Sequence, residues 1–292
     1  MNKKTKGILF VFLASLMWAF QAILTELSYK ENASFLSTTF IAFVFIFLTS
    51  FIYSLLKRKN FYITKTNAKA IFYISITGAV LADLLYNFAL FITHPLNVVL
   101  IGHTQPVFII LMSYIFLKEE KMSFFDYIGG ALMLLSAFLV SSKTIENLMN
   151  MKFGTLGEVA VLIATILWAS DSIVAKRYLQ NLDSSIIVFY RYLIAMVIFL
   201  AYMLPFSYLR IDSIYQPIIG ISVAIGAILF YEGLKILKAA QVGFIELCAP
   251  FSTAILAWIF LNEKITELQI LGLIFLAVGV YFISKSERVA KE

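Results

Sequence analysis

Charged residues and cysteine are both scarce in this chain of 292 residues. Only 14% of the residues are charged and 61% are hydrophobic, whereas a soluble domain has about 25% charged residues. Such a chain cannot cover a water-facing surface, so the composition excludes a soluble protein and predicts a membrane protein with several spans. The single Cys248 excludes a disulfide framework and a cysteine-based metal site.

Catalytic motifs are also missing from the sequence. His94 and His103 are the two histidines, and they form no His-Glu-x-x-His helix. No Gly-x-Ser-x-Gly nucleophile segment or Gly-x-x-x-x-Gly-Lys-Ser/Thr phosphate loop occurs. We therefore expect no enzymatic activity, no metal and no cofactor. A channel and a membrane scaffold remain as alternatives, although a scaffold would not need acidic residues inside its spans.

Long apolar runs dominate what is present. Runs of about 18–22 residues fit a bilayer core of about 30 Å when they are helical, and unpaired backbone groups cannot face lipid. The chain is therefore expected to be an all-α membrane protein with ten transmembrane helices. The predicted spans are 7–27, 36–56, 70–91, 97–117, 124–141, 157–178, 184–204, 214–234, 241–261 and 267–284.

The basic residues predict how the spans are oriented. With a cytoplasmic N-terminus, 17 Lys and Arg residues fall in inside segments and 5 in outside loops. The positive-inside rule then places both termini in the cytoplasm. The excess of six positive charges serves this orientation, so no nucleic-acid partner is expected. We expect the inner (plasma) membrane of a prokaryote as the location, in contact with the lipid bilayer.

Two stretches of the chain repeat one another. Pro106 precedes an Ile-Phe-Leu-x-Glu string that ends at Glu119, and Pro250 precedes the same string ending at Glu263, 144 residues later. Gly7 and Trp18 recur as Gly157 and Trp168. The sequence thus predicts two related halves, 7–141 and 157–284, of five spans each. Because five is odd, the halves should be inverted, which favours transport by alternating access.

These features resemble the EamA family of the drug/metabolite transporter superfamily. The resemblance rests on the repeated Trp, the repeated Pro-to-Glu element, and the third-helix strings Tyr86–Leu90 and Phe230–Leu234. It implies a central cavity lined by the first, third, fourth, sixth, eighth and ninth helices. It also implies structural roles for Glu119 and Glu263, and it does not define the substrate.

Polar residues inside the spans are the candidate site. A charge at mid-membrane costs roughly 2.5–3.5 kcal/mol, so each needs a partner, a watery cavity or a role. Trp18 and Gln21 share one helical stripe, and Trp168 and Asp171 share the matching stripe of the second half. Interface anchoring, structural hydrogen bonding and static salt bridges are the alternative roles. The predicted substrate-binding residues are Trp18, Gln21, Asp83, Tyr86, Asn87, His103, Gln105, Trp168, Asp171 and Glu246.

Several charges are expected to converge on the cytoplasmic half. Arg191 opposite one or more of the carboxylates Asp171, Glu232 and Glu246 would form an inner gate or a static salt bridge between helices. Pro106 and Pro250 are expected to kink their helices. The candidate gate or proton-coupling residues are Asp83, Asp171, Arg191, Glu232 and Glu246.

The sequence therefore predicts a secondary transporter of a small organic metabolite. Acidic groups outnumber Arg191 inside the spans, which favours a cationic or zwitterionic solute such as an amino acid or amine, with protons as candidate coupling ions. Export is favoured; the alternatives are a uniporter or exchanger, an importer of another metabolite class, or a scaffold. The oligomeric state is left open, with a monomer plausible.

Overall fold

The computed structural model describes residues 2–93, 95–118, 122–150, 155–203, 210–262 and 264–285. Glu119 and Glu263 lie outside this part of the chain. The described residues form fourteen α-helices and one π-helical segment, in the following order. They are α1 (Lys3–Lys30), α2 (Phe35–Leu56), α3 (Lys65–Ile74), the π-helical segment (Ser75–Ala82), α4 (Asp83–Ile92), α5 (Pro95–Gly102), α6 (Gln105–Phe116), α7 (Phe124–Ser142), α8 (Ile145–Met149), α9 (Leu156–Tyr178), α10 (Ser184–Met203), α11 (Tyr215–Ile236), α12 (Ala239–Glu246), α13 (Ala249–Leu261) and α14 (Glu267–Lys285).

Ten of the helical stretches in the described residues are long and apolar enough to cross a membrane. The predicted all-α fold with ten spans is confirmed. The first and third spans begin four and five residues earlier than predicted, because capping side chains extend them into polar sequence. Asn2 accepts from the Lys4 amide, and Thr64 accepts from the Asn67 amide. The connection between the halves, expected as a loop, contains the short helix α8.

The fourth and ninth spans are both broken just before a proline. The fourth consists of α5 and α6, separated at His103–Thr104, and the ninth consists of α12 and α13, separated at Leu247–Cys248. Proline lacks the N–H that would continue the ladder and crowds the preceding turn, so it is tolerated in the first turn of a new helix. The expected kinks are therefore full interruptions, again 144 residues apart.

The third span contains a feature that the sequence did not predict. Residues Ser75–Ala82 form a π-helix between α3 and α4. Such segments are rare and occur frequently at functional sites. This one ends directly before Asp83, so it sets the direction in which that carboxylate points.

The first span of each half packs on the third span of the other half. Gly7 in α1 lies against Ile236 and Leu237, at 2.9 Å from each side chain when a Cβ is placed on the glycine. Gly157 in α9 lies in the same way against Thr93 and Ile92. A larger residue would push these helices apart, so the repeated glycines permit the close approach. The other spans pair as α2 with α10 and α7 with α14.

Candidate functional site

A buried ion pair joins the sixth and seventh spans. Arg191 of α10 donates from Nη2 to Asp171 Oδ2 of α9 at 3.1 Å, and from Nη1 to the Tyr231 hydroxyl at 2.7 Å. Thr77 donates to the other oxygen, Asp171 Oδ1, at 2.6 Å. Asp171 is 5% exposed. The pair tolerates burial because each charge faces an opposite charge and further hydrogen bonds. Arg191 Nε is buried and has no hydrogen-bond partner in the described part of the chain.

The π-helical segment touches this ion pair directly. Gly78 lies so close that an added Cβ would collide with Asp171 Oδ2 and Arg191 Nη2. Thr77, one residue earlier, holds the same carboxylate. The π-helical segment therefore places the Thr77 hydroxyl and the backbone of Gly78 in contact with the Asp171–Arg191 ion pair. Sequence reasoning missed Thr77, Gly78 and Tyr231; their positions depend on the π-helical backbone and on helix packing.

Asp83 and Trp168 form the next layer of the site. Trp168 donates from Nε1 to Asp83 Oδ1 at 3.1 Å, which ties α9 to α4. The Tyr86 ring lies beside the Trp168 ring, with centroids 5.3 Å apart. Asn87 belongs to α4, but its side chain is outside what the structure describes. The structure thus gathers three of the predicted binding residues in one place.

Trp18 has a corresponding position in the first half. Its ring lies 5.7 Å from that of Phe230 in α11. Phe230 is related to Tyr86 by the 144-residue repeat, so each tryptophan contacts the equivalent aromatic residue of the other half. The carboxylate differs, however: the position equivalent to Asp83 is Ala227. Gln21 is half-buried in α1, one turn from Trp18.

The remaining predicted residues have separate surroundings. His103, at the break in the fourth span, is 3.1 Å from Ser141 Oγ through Nδ1, and Gln105 begins α6. Glu232 is bonded to Lys235 at 3.2 Å, one turn further along α11. Three carboxylates were proposed to face Arg191. The structure pairs Asp171 with Arg191 and Glu232 with Lys235, and it leaves Glu246 apart from both.

Glu246 differs from the other acids inside the spans. Its Oε2 atom is buried, and its carboxyl group has no hydrogen bond or ion pair with any described residue. It is the last residue of α12, directly before the break in the ninth span. An uncompensated charge is expensive at this depth, so the group needs a proton or a positive ligand.

Polar contacts between the halves close one end of the bundle, which we term the basic end because its loops and helix ends include Lys59, Lys176 and Lys238. Lys59 bonds to Asp183 at 2.6 Å. This hydrogen bond raises the pKa of Lys59. Burial alone would raise the pKa of Asp183, but the hydrogen bonds from Lys59 and Ser185 outweigh burial and lower it. Arg177 donates to the Phe116 carbonyl, and Asn67 donates to that of Tyr178. Lys238 also reaches the buried Asp126 at 3.5 Å.

A family model described as the EamA-like transporter family matches residues 5–142 and 155–285. The chain belongs to the EamA-like transporter family. The resemblance found in the sequence is thereby confirmed, and the transporter is an integral membrane protein that carries a small-molecule substrate. The two matched stretches correspond to the two groups of five spans on either side of the α8 connection.

Named relatives are transporters as well. The riboflavin transporter ImpX of Fusobacterium nucleatum is 25% identical over 98% of this chain and 99% of its own length. An uncharacterized transporter of Synechocystis sp. is 29% identical over 64% of this chain, and the match spans 57% of that relative. A further uncharacterized transporter, from Methanothermobacter thermautotrophicus, is 24% identical over 72% of this chain and 62% of its own.

A solved crystal structure shares the fold. It is 15% identical to this chain and superposes with a TM-score of 0.78 over 98% of this chain and 99% of the other. At this level of identity the likeness establishes the architecture alone.

Proposed function

We propose that the transporter exchanges a small cationic or zwitterionic solute, such as an amino acid or amine, across the inner membrane of a prokaryote. Transport proceeds by alternating access between two inverted halves, with export as the favoured direction. The observation that carries the substrate class is the balance of charge inside the spans. Asp171 is neutralised by Arg191, and Asp83 and Glu246 add two further acidic groups, of which Glu246 has no hydrogen bond or ion pair with a described residue.

A zwitterion would find both of its charges matched in such a site. Asp83, held beside the Trp168 ring, offers a carboxylate and an aromatic face to an ammonium group. The unused Nε donor of Arg191 offers a hydrogen bond to a carboxylate once the ion pair opens. The substrate would then replace Asp171 on the arginine, which couples binding to movement of the sixth and seventh spans.

Reciprocal contacts support the inverted arrangement. The pairs Trp18–Phe230 and Trp168–Tyr86 occupy repeat-related positions, as do the Gly7 and Gly157 contacts. The fourth and ninth spans, however, pack unequally. α6 packs against α12 near the basic end, whereas α5 and α13, the other halves of the same spans, make no comparable contact among the described residues. This asymmetry favours a conformation closed at the basic end and open at the opposite end.

Counterflow in proteoliposomes tests this function. Vesicles containing the purified transporter are loaded with unlabelled lysine, putrescine or another amino acid or amine, and uptake of the labelled compound is followed. We expect saturable, transient accumulation for at least one of these compounds and none with protein-free vesicles. Absence of counterflow for all amino acids and amines would refute the proposed substrate class.

A planar heteroaromatic solute is a second candidate. The riboflavin transporter relative matches 98% of this chain, and the aromatic pairs Trp18–Phe230 and Trp168–Tyr86 are suited to stacking on a flat ring system. The same vesicles loaded with riboflavin distinguish the two candidates. Counterflow of riboflavin that amines do not inhibit would favour the second.

A further inference from the structure

We propose that Glu246 is the proton-binding site of this transporter and carries a proton in the conformation described. Protonation of the group is a property of the protein alone. Its use in coupling rests on the proposed transport function. Glu246 is one of the five gate or coupling candidates identified in the sequence.

Among the residues that the structure describes, no side chain compensates a negative charge on Glu246. Asp83 accepts from Trp168, and Asp171 is bound by Arg191 and Thr77, but the Glu246 carboxyl has no bond to a described residue. Glu246 ends α12, where the carbonyl end of the helix adds partial negative charge. No backbone N–H of the break donates to it, although the first turn of α13 follows. A neutral carboxylic acid is therefore the form that this position stabilises.

The charged groups on the neighbouring helices are engaged elsewhere. α12 packs against α1, α6, α7, α9 and α11, and on α1 the charged residues lie near the helix ends. The other pairings are Asp126 with Gln241 and Lys238, Lys176 with the Leu234 and Leu237 carbonyls, Arg177 with the Phe116 carbonyl, Glu158 with Asn97, Asp171 with Arg191, and Glu232 with Lys235. None of these groups provides a cation for Glu246.

Glu246 also lies where the two broken spans meet. Gly243 packs on Pro106, with an ideal Cβ 3.5 Å from the proline. The two spans run in opposite directions. Moving three residues forward from Gly243 to Glu246, or three residues back from Pro106 to His103, therefore leads to the same side of the membrane by about 4.5 Å. Glu246 therefore reaches about the depth of the break at His103, which is bonded to Ser141. Gly102, its repeat-related position, leaves open space there: an added Cβ would meet only Tyr86, at 3.6 Å.

This position gives the proton a simple role. When the site opens to water, the Glu246 carboxyl releases H⁺ to solvent and becomes a carboxylate. The carboxylate can then pair with one positive group of a solute, so one proton is exchanged for one positive charge and the charge of the site does not change. Return of the empty carrier is favoured when the group is protonated again, because a neutral site crosses the apolar interior at lower cost.

Infrared spectroscopy of the purified transporter in lipid bilayers tests the protonation without any substrate. We expect the carbonyl band of a protonated carboxylic acid at pH 7, shifted by exchange into D₂O and lost on titration to alkaline pH. Glu246→Gln should remove this band. The matched control is Glu232→Gln, which changes the same side chain at a partly exposed, lysine-paired position and should leave it intact.

Each result decides the proposal. A band that persists in Glu246→Gln, or that disappears in Asp83→Asn instead, would show that the proton belongs elsewhere and would overturn it. If Glu246→Gln does not assemble, Glu246→Asp keeps the acid and should shift the band and its titration midpoint, whereas an unchanged band would refute the assignment. Because no solute is present, a negative counterflow result leaves this test unaffected, and the two failures are distinguishable.

Discussion

At the scale of single residues, the contacts of the two repeated tryptophans differ in chemistry. Both rings lie against an aromatic residue of the third span in the other half, but only Trp168 also donates to a described carboxylate, that of Asp83. The wall around Trp168 is therefore the more attractive one for a cation. From the sequence we paired Trp168 with Asp171, which in the structure is bound to Arg191.

We therefore expect Trp168→Ala to weaken binding of a cationic or zwitterionic substrate more than Trp18→Ala does. The difference should reach about 1 kcal/mol, which is the scale of a partly desolvated cation–π contact. Titration of the purified variants with the solute found by counterflow measures it. Trp168→Phe keeps an aromatic ring but removes the Nε1 donor. If all three variants bind the solute equally well, the two tryptophan rings serve packing.

At the scale of helices, the π-helical segment and the ion pair depend on one another. Gly78 leaves no room for a side chain beside Asp171 and Arg191, whereas Gly102 has an open surrounding. We expect Gly78→Ala to lower stability by about 1–3 kcal/mol, as overpacking does. Gly102→Ala is the matched control and should be nearly neutral. Thermal unfolding in detergent measures both, and equal midpoints for the two variants would contradict this account.

The pair Lys59–Asp183 predicts a pH dependence at the basic end. Because the pKa of Asp183 is lowered in the folded protein, Asp183 stabilises the fold above the ordinary carboxyl pKa of about 3.9. This contribution to the free energy of unfolding is lost as pH falls through the lowered value. Because the pKa of Lys59 is raised, its contribution to stability is fully present below the ordinary lysine pKa of about 10.4. Asp183→Asn should therefore cost less than about 1 kcal/mol, because the pair is partly exposed.

Unfolding curves of the transporter and of Asp183→Asn check this expectation. The difference between them should be constant from about pH 5 to 9 and shrink in stronger acid and in strong alkali. A difference that changes near neutral pH would indicate that another group is coupled to the pair.

At the scale of the whole molecule, the basic end is expected to face the cytoplasm. The asymmetry of 17 to 5 basic residues predicts both termini inside and the 142–156 connection outside. Cysteine introduced at the exposed Glu146 of this connection, in a Cys248→Ser background, should react with an impermeant maleimide in intact cells. Cysteine at Ser286 should react only after permeabilisation. The reverse pattern would refute the predicted orientation, and equal labelling of both would refute the odd number of spans per half.

Much of this architecture can be read from local sequence for a physical reason. In lipid an apolar run of sufficient length must satisfy its own backbone, so hydropathy and length determine ten spans. A proline interrupts the helix in which it lies, so Pro106 and Pro250 determine both breaks. The third-span residues Asp83 and Tyr86 could be identified as site candidates, because a carboxylate inside a membrane span is costly and usually has a functional or pairing role.

Tertiary structure decided which groups meet. Arg191 had three candidate acids, and only the packing of α9 beside α10 selects Asp171. Glu232 pairs with Lys235, and Glu246 has no partner among the described residues. The π-helical segment has no local signature in the sequence; the structure places it where Thr77 and Gly78 close on the ion pair. Hydropathy depends on each residue and its neighbours along the chain, whereas the pairing of buried charges depends on the rotation and depth of whole helices, which only their packing sets.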